Sequence, residues 1–278
     1  MSAVSPELLP AGESVSGRLA RKIQRRCAAI LEILASGQEV AVEELIHRAK
    51  ASPATVRRDL RRLEIQGLVR RAHGVVALAE SRGYEPFLDD PGFRDQLHHM
   101  AAEKRRIGVA AAALVRDGET IAIAPGTTAA QMSRLLRSRR DLTIVTNALN
   151  VAMDLSRQRH VTVHLTGGYL SGNWLAMVGP KALEFIAAMF TDTFFFGANG
   201  IHPEHGVTDR HPEEAAANAA MARQARKRIL LADHTKFGHT ARFLVCPIAE
   251  VDMIITDAGA SEESIAPFLR LGIQIVRV

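Results

Sequence analysis

Along the first eighty residues the apolar positions recur every three or four. Ile23, Cys27, Ile30, Leu31 and Leu34 share one side of a helix read over residues 18–36, with Arg21, Lys22, Arg25 and Arg26 on the other. Gly37 ends that helix. Val40 and Val42 bracket a short extended link, and a second helix over 43–49 turns Leu45 and Ile46 inward. After the turn Lys50-Ala51-Ser52 a third helix starts. Ser52 is a good N-cap, and Pro53 suits the first helical position, where its missing N–H goes unused. Val56, Leu60 and Leu63 then recur at i, i+4 and i+7 as one apolar stripe. Past Gly67 the period shortens to alternation: residues 68–71 and 75–78 read as two strands joined by Ala72-His73-Gly74. Helix, helix, tight turn, helix, hairpin is the order of a winged helix-turn-helix.

The second half has another rhythm. A helix opens at Glu103-Lys104-Arg105-Arg106, with Ile107, Ala110, Ala111 and Leu114 as its apolar face. Runs of β-formers then fall at 120–124, 142–145, 161–165, 193–196, 229–231, 253–255 and 273–276. Helical stretches at 129–136, 148–156, 181–189, 213–226 and 262–271 separate most of them. This alternation predicts an α/β domain: a mainly parallel, Rossmann-like sheet covered on both faces. The organisation expected is a flexible tail over 1–17, a winged helix over 18–80, a linker over 81–100 rich in Gly, Pro and charge, and the α/β domain over 101–278.

Charge separates the two domains. The chain carries +5 overall, but residues 21–74 hold 12 Lys and Arg against 6 Asp and Glu, while the remainder holds 23 against 24. All the surplus surrounds the third helix, where Arg57, Arg58, Arg61 and Arg62, with Thr55 near the start, lie opposite the apolar stripe. Asp59 and Glu64 are too few to balance them. Arginine binds guanine in a fork or clamps phosphate, so this face is expected to contact double-stranded DNA, with Ser52, Thr55 and the four arginines as its residues. Arg70, Arg71 and His73 at the hairpin tip are placed to reach the flanking backbone or the minor groove; a plain turn role for His73 is the alternative.

In parallel sheets ligands bind beyond the carboxyl ends of the strands. Here those ends carry Pro125-Gly126-Thr127-Thr128, Thr146-Asn147, Thr166-Gly167-Gly168, Gly197-Ala198-Asn199-Gly200 and Asp233-His234-Thr235-Lys236. Glycines permit close backbone approach, the helix start after Gly126 favours an anion, and Lys236 adds a point charge. A small anionic ligand is the expectation.

Two stretches resemble DeoR-type transcriptional regulators. In the first half these are Ser52-Pro53-Ala54-Thr55-Val56-Arg57-Arg58-Asp59-Leu60, Leu63-Glu64 and Gly67-Leu68-Val69-Arg70-Arg71-Ala72-His73-Gly74, with Val75 where the family usually has a second glycine. In the second half Gly126-Thr127-Thr128, Thr146-Asn147, Gly167-Gly168, Gly206-Val207-Thr208, Glu214, Asp233-His234-Thr235-Lys236-Phe237-Gly238 and Thr256-Asp257 match the family's sensor domain. The resemblance implies a ribose-5-phosphate-isomerase-like fold that senses a phosphorylated sugar. It also implies a repressor of carbohydrate-metabolism genes that self-associates through this domain as a dimer or tetramer. The effector residues implied are Gly126, Thr127, Thr128, Thr146, Asn147, Gly167, Gly168, Glu214, Asp233 and Lys236. The family's aspartate before the Gly-Thr-Thr loop is replaced by Ala124, followed by Pro125, and alanine cannot accept a hydrogen bond from a ligand hydroxyl.

Two other functions compete with this one. A sugar-phosphate isomerase-like enzyme with an appended DNA-binding domain would draw on Lys236, Asp233, Glu214 and Asp209, yet the lost acid at Ala124 and the attached winged helix favour sensing. The loop His202-Pro203-Glu204-His205, with Asp209, His211 and Glu213, matches no zinc spacing, so no metal or cofactor is expected. The arginine groups at 134–140 and 223–228 read as helix-end charges. Tyr169 and Trp174 read either as a cover for the ligand mouth or as an oligomer contact. Cys27 and Cys246 lie far apart and read as buried small side chains in a reducing cytoplasm. No apolar run approaches the ~20 residues of a membrane span.

Overall fold

The computed structural model describes residues 15–35, 39–79, 95, 98–156, 158, 160–171 and 175–278. The tail up to residue 14, Gly37, most of the stretch expected as linker, and Trp174 lie outside them. Among the described residues, no helix is long and apolar enough to cross a membrane.

The N-terminal unit follows the apolar periods. Helix α1 (Val15–Leu34) starts inside the stretch expected as tail; α2 (Val42–Arg48) and α3 (Pro53–Ile65) follow. Ile30, Leu34, Leu45, Val56, Leu60, Leu63 and Val76 meet in one buried cluster. Ser52 caps α3, its Oγ accepting from the Thr55 N–H at 3.3 Å. Strand β1 (Val40–Ala41) pairs with β3 (Val75–Leu78), which pairs with β2 (Val69–Ala72), all antiparallel. Ala72 pairs with Val75, so His73 and Gly74 alone form the tip, at φ 48° and 82°. Two left-handed residues in a two-residue loop are what a twisted hairpin requires.

In the C-terminal unit, β4 (Thr120–Ile123), β5 (Leu142–Thr146) and β6 (Val161–Leu165) step outward in one direction. The chain then returns, and β9 (Thr191–Phe196), β12 (Ala225–Leu231), β14 (Met253–Thr256) and β15 (Gln274–Arg277) step outward in the other. All seven are parallel, in the order β15-β14-β12-β9-β4-β5-β6. Alternate residues feed the two faces: Ala122, Phe194, Phe196 and Leu230 on one, Ile121, Ile123, Phe195 and Ile229 on the other. The direction reverses between β4 and β9, and the carboxyl ends on either side of such a reversal part to leave a crevice.

The helices are α4 (Ala101–Leu114), α5 (Thr127–Leu135), α6 (Leu149–Leu155), α7 (Pro180–Ala187), α8 (Pro212–Gln224) and α9 (Glu262–Arg270). Leu114, expected inward, is exposed, while Ala112 is buried. Two features are additional to the sequence reading. A hairpin joins β7 (Tyr169–Ser171) to β8 (Ala176–Val178), and β10 (Gly200–His202), β11 (Gly206–Asp209) and β13 (Phe243–Cys246) form a small antiparallel sheet. Both lie in connections, outside the alternation of strand and helix that marks the main sheet.

Candidate functional site

The arginine face of α3 is open to solvent. Arg57, Arg58, Arg61 and Arg62 are exposed, as are Ser52 at the helix start and His73 at the wing tip, and Thr55 is half-buried. Asp59, counted in the sequence as a partial balance, turns inward at 1% exposure. Arg26 of α1 grips it with two prongs, Nη2 to Oδ1 at 3.1 Å and Nε to Oδ2. That bond raises the Arg26 pKa further above its ordinary value, against burial. The wing arginines are less free: Arg70 donates to Glu39 at 2.8 Å and Arg71 lies 3.8 Å from Glu64.

At the crevice a cleft of about 90 Å³ opens beyond β4, β9 and β12. Gly126, Thr127, Thr128, Glu214, Asp233 and Lys236 all line it. Thr146, Asn147, Gly167 and Gly168 do not. Thr146 is spent inside the sheet, its hydroxyl donating to Ile123 O at 2.7 Å and accepting from Ala148 N at 3.0 Å. Asn147 holds β8, donating from Nδ2 to Met177 O at 3.1 Å. Gly168 stands where β8 passes so close that a Cβ would lie 2.2 Å from Val178 O. These four lie on the same sheet edge, one strand (Thr146, Asn147) and two strands (Gly167, Gly168) beyond β4, where Asn147 and Gly168 pack against β8.

The cleft has two electrical poles. At one, the start of α5 meets Lys236 and Lys104, a lysine of α4 that is 3% exposed. Burial lowers the Lys104 pKa to about 8; Asp233 opposes that shift and Lys236 adds to it. At the other pole, burial and then the neighbouring Asp209 raise the Glu214 carboxyl to about 8, so it is mostly a neutral acid near pH 7. Burial also raises Asp209, against N–H groups of His211 and Arg210. Among the described residues, Glu214 Oε1 and Asn218 Oδ1, one turn apart on α8, have no hydrogen-bond partner. Buried acceptors left unpaired are costly and call for donors. Asp233 behaves as a cap, accepting from the Thr235 N–H at 3.1 Å and from its hydroxyl.

Lys104 and Asn218 escaped the sequence reading, although a signal was present. Lys104, Ile107, Gly108 and Ala111 fall at i, i+3, i+4 and i+7, so the buried face of α4 runs through the lysine. The remaining candidates have local roles. His202, Glu204 and His205 bring ligand atoms within 4.8 Å of one another. However, His202 Nδ1 accepts from the N–H groups of Glu204 and His205 at 3.2 and 3.3 Å. The neutral ring must then carry its proton on Nε2, which blocks that nitrogen as a ligand. Glu213 receives the Tyr169 hydroxyl, which raises the phenol's pKa. Burial pushes the Cys27 and Cys246 thiols up to about 11 and about 12, far from thiolate chemistry.

Residues 26–82 match the DeoR-like helix-turn-helix domain, and residues 99–258 match the DeoR C terminal sensor domain. The glycerol-3-phosphate regulon repressor of Escherichia coli strain K12 is 32% identical over 85% of this chain and 92% of that one. The HTH-type transcriptional repressor GlcR of Bacillus subtilis is 30% identical over 84% and 88%. The putative aga operon transcriptional repressor of Escherichia coli O157:H7 is 29% identical over 90% and 91%. Among solved structures, ribose 5-phosphate isomerase A of Methanocaldococcus jannaschii is 16% identical over 48% of this chain and 52% of that one, at a TM-score of 0.35, too low to assign a ligand or an activity. With its winged helix-turn-helix and its crevice in a parallel sheet, this chain belongs to the DeoR family of transcriptional regulators.

Proposed function

We propose that the chain is a cytoplasmic repressor of carbohydrate-metabolism genes that self-associates through residues 101–278 and binds its operator through residues 18–80. A phosphorylated sugar in the cleft controls that binding. Ser52, Thr55, Arg57, Arg58, Arg61 and Arg62 meet the major groove; Arg70, Arg71 and His73 meet the flanking backbone. A lone winged helix buries little DNA surface, so paired half-sites require at least a dimer.

The observation that carries the effector reading is the polarity of the cleft. The start of α5, Lys104 and Lys236 form a cationic end suited to phosphate. At the other end Asn218 offers an unpaired acceptor, and the neutral Glu214 carboxyl both an acceptor and a proton to donate, to ligand hydroxyls. A molecule anionic at one end and rich in hydroxyls at the other satisfies both. The relative's name, glycerol-3-phosphate regulon repressor, supports a compound of that class.

A thermal-shift panel of sugar phosphates with their unphosphorylated parents tests this. Stabilisation by phosphorylated members alone, lost in Lys236→Ala, is expected. Equal stabilisation by the parents, or retention in Lys236→Ala, overturns the assignment.

A further inference from the structure

Two helices of the sensor domain have one end in the cleft and a side chain on the DNA-binding unit. Helix α5 starts at the cleft with Thr127 and Thr128 and runs into a short turn over Leu136–Ser138. From that turn Arg137 Nη1 donates to Gln66 O at 3.0 Å and to Gly67 O at 3.2 Å. Gln66 is the C-cap of α3, so the guanidinium sits on the carbonyl end of the recognition helix, where the helix dipole favours a cation. A side chain at Gly67 would press on the same nitrogen, because its Cβ would lie 2.9 Å from Nη1. Asp154 lies 3.6 Å from Arg137 Nη2 and steadies the guanidinium from the sensor side. Leu135 packs against both the winged-helix core and a core of the sheet.

Helix α4 makes both contacts at its own start. Lys104 faces the cleft, and its neighbour Arg105 donates from Nε to Ala35 O at 3.2 Å, just past the end of α1. The two helices are pressed together at Gly108, where a Cβ would lie 2.8 Å from Gln131 Cβ and 2.9 Å from Met132 N. Contact that close leaves little room for one to slide without the other. The arginine group at 134–140, read from the sequence as helix-end charge, therefore includes a residue that reaches another domain.

We infer that the α4–α5 pair transmits occupancy of the cleft to the DNA-binding unit, and that Arg137 is the residue that positions the recognition helix. This rests on the proposed ligand reading of the cleft. Phosphate drawn to the start of α5 and to Lys104 pulls on the cleft ends of both helices. The far end of α5 holds the carbonyl terminus of α3, and Arg105, beside Lys104, holds the chain just past α1, so a small shift re-aims the arginine face. A ligand changes DNA affinity only if it prefers one such arrangement.

The test uses full-length protein, inorganic phosphate as the probe, and hydrogen exchange at residues 63–68. Wild type, Arg137→Ala and Arg137→Lys are compared, with phosphate affinity measured by calorimetry. Phosphate should alter exchange at 63–68 in wild type. In Arg137→Ala, exchange there should be about tenfold faster without phosphate and indifferent to it, while phosphate affinity stays within about twofold. Arg137→Lys, which restores one donor, should recover part of the response. An Arg137→Ala protein that binds phosphate and still transmits it to 63–68 overturns the inference. If phosphate binds neither protein, the ligand reading of the cleft fails; the positioning role then stands or falls on the phosphate-free comparison, and unchanged exchange at 63–68 overturns it.

Discussion

Arg26 and Asp59 join α1 to the recognition helix through a two-pronged ion pair whose carboxylate is buried. The pair turns the only acid near the middle of α3 away from the exposed arginine side. It also fixes the helix in rotation. Removing one partner of a buried pair costs about 3–5 kcal/mol, and the 17% exposure of the Arg26 side chain places this one near the lower end. Asp59→Ala should therefore destabilise the winged helix by about 2–3 kcal/mol, read by denaturant unfolding. A loss under about 0.5 kcal/mol would assign the orientation of α3 to its apolar stripe alone.

The arginine face yields a second prediction. Arg58→Ala and Arg61→Ala should each weaken binding to a duplex selected in vitro by the full chain, and each should reduce the salt slope by about 1 if a phosphate contact is lost. Melting temperature should not move, because both side chains are exposed. Unchanged affinity at matched salt in both variants would remove α3 from the interface.

Glu214 sets a pH dependence of stability. Its pKa is raised from 4.5 to about 8 by burial and then by Asp209. A carboxyl raised on folding binds its proton more tightly in the folded state. Its contribution is thus fully present below pH 4.5 and is lost as pH rises towards 8. Glu214→Gln keeps the neutral shape at every pH. Its melting temperature relative to wild type should climb between pH 5 and 9 by at least about 2–4 °C, the equivalent of ~1 kcal/mol in a chain of this size. A difference that stays flat over that range would mean Glu214 is ionised in the fold throughout.

How much of this was legible in the sequence depended on place in the chain and on depth. All seven strands of the main sheet were found because each is a run of β-formers between helices. The β7–β8 hairpin and the β10, β11 and β13 sheet were not, since they lie in the connections, outside the alternation of strand and helix. Ser52, Val56, Leu60 and Leu63 gave the recognition helix its start and its inward side. The cleft was half legible. The loop at Gly126 and the turn at Lys236 announced themselves by composition, and the loops at Thr146 and Gly167 did so equally well while serving the β7–β8 hairpin. Strand order decides between them, because the crevice opens where the order reverses, and the order of strands is not written in their residues. Arg137 gave no local hint of its partners, which lie about seventy positions earlier in the chain.

The last prediction concerns Lys104, whose pKa falls from 10.5 to about 8 chiefly through burial. A lysine depressed on folding holds its proton less tightly in the folded state. It therefore costs stability below pH 8, and the cost fades as pH rises towards 10.5. Lys104→Met should raise the melting temperature of ligand-free protein at pH 7. The same substitution should weaken phosphate binding, because a phosphate beside Lys104 favours the ammonium and raises its pKa again. Around pH 8.5 part of the free protein lacks that proton, so phosphate binding should draw one from solution, and affinity should fall with rising pH by up to about tenfold per unit. Ionisation of Glu214 near pH 8 pushes affinity in the same direction, and Glu214→Gln separates the two. Calorimetry with inorganic phosphate, in two buffers of different ionisation enthalpy at pH 8.5, reads the proton directly. Uptake should persist in Glu214→Gln and vanish when Lys104→Met is added to it. Uptake retained in that double variant would move the phosphate away from this lysine; a Lys104→Met protein no more stable than wild type at pH 7 would mean the buried ammonium is already compensated in the fold.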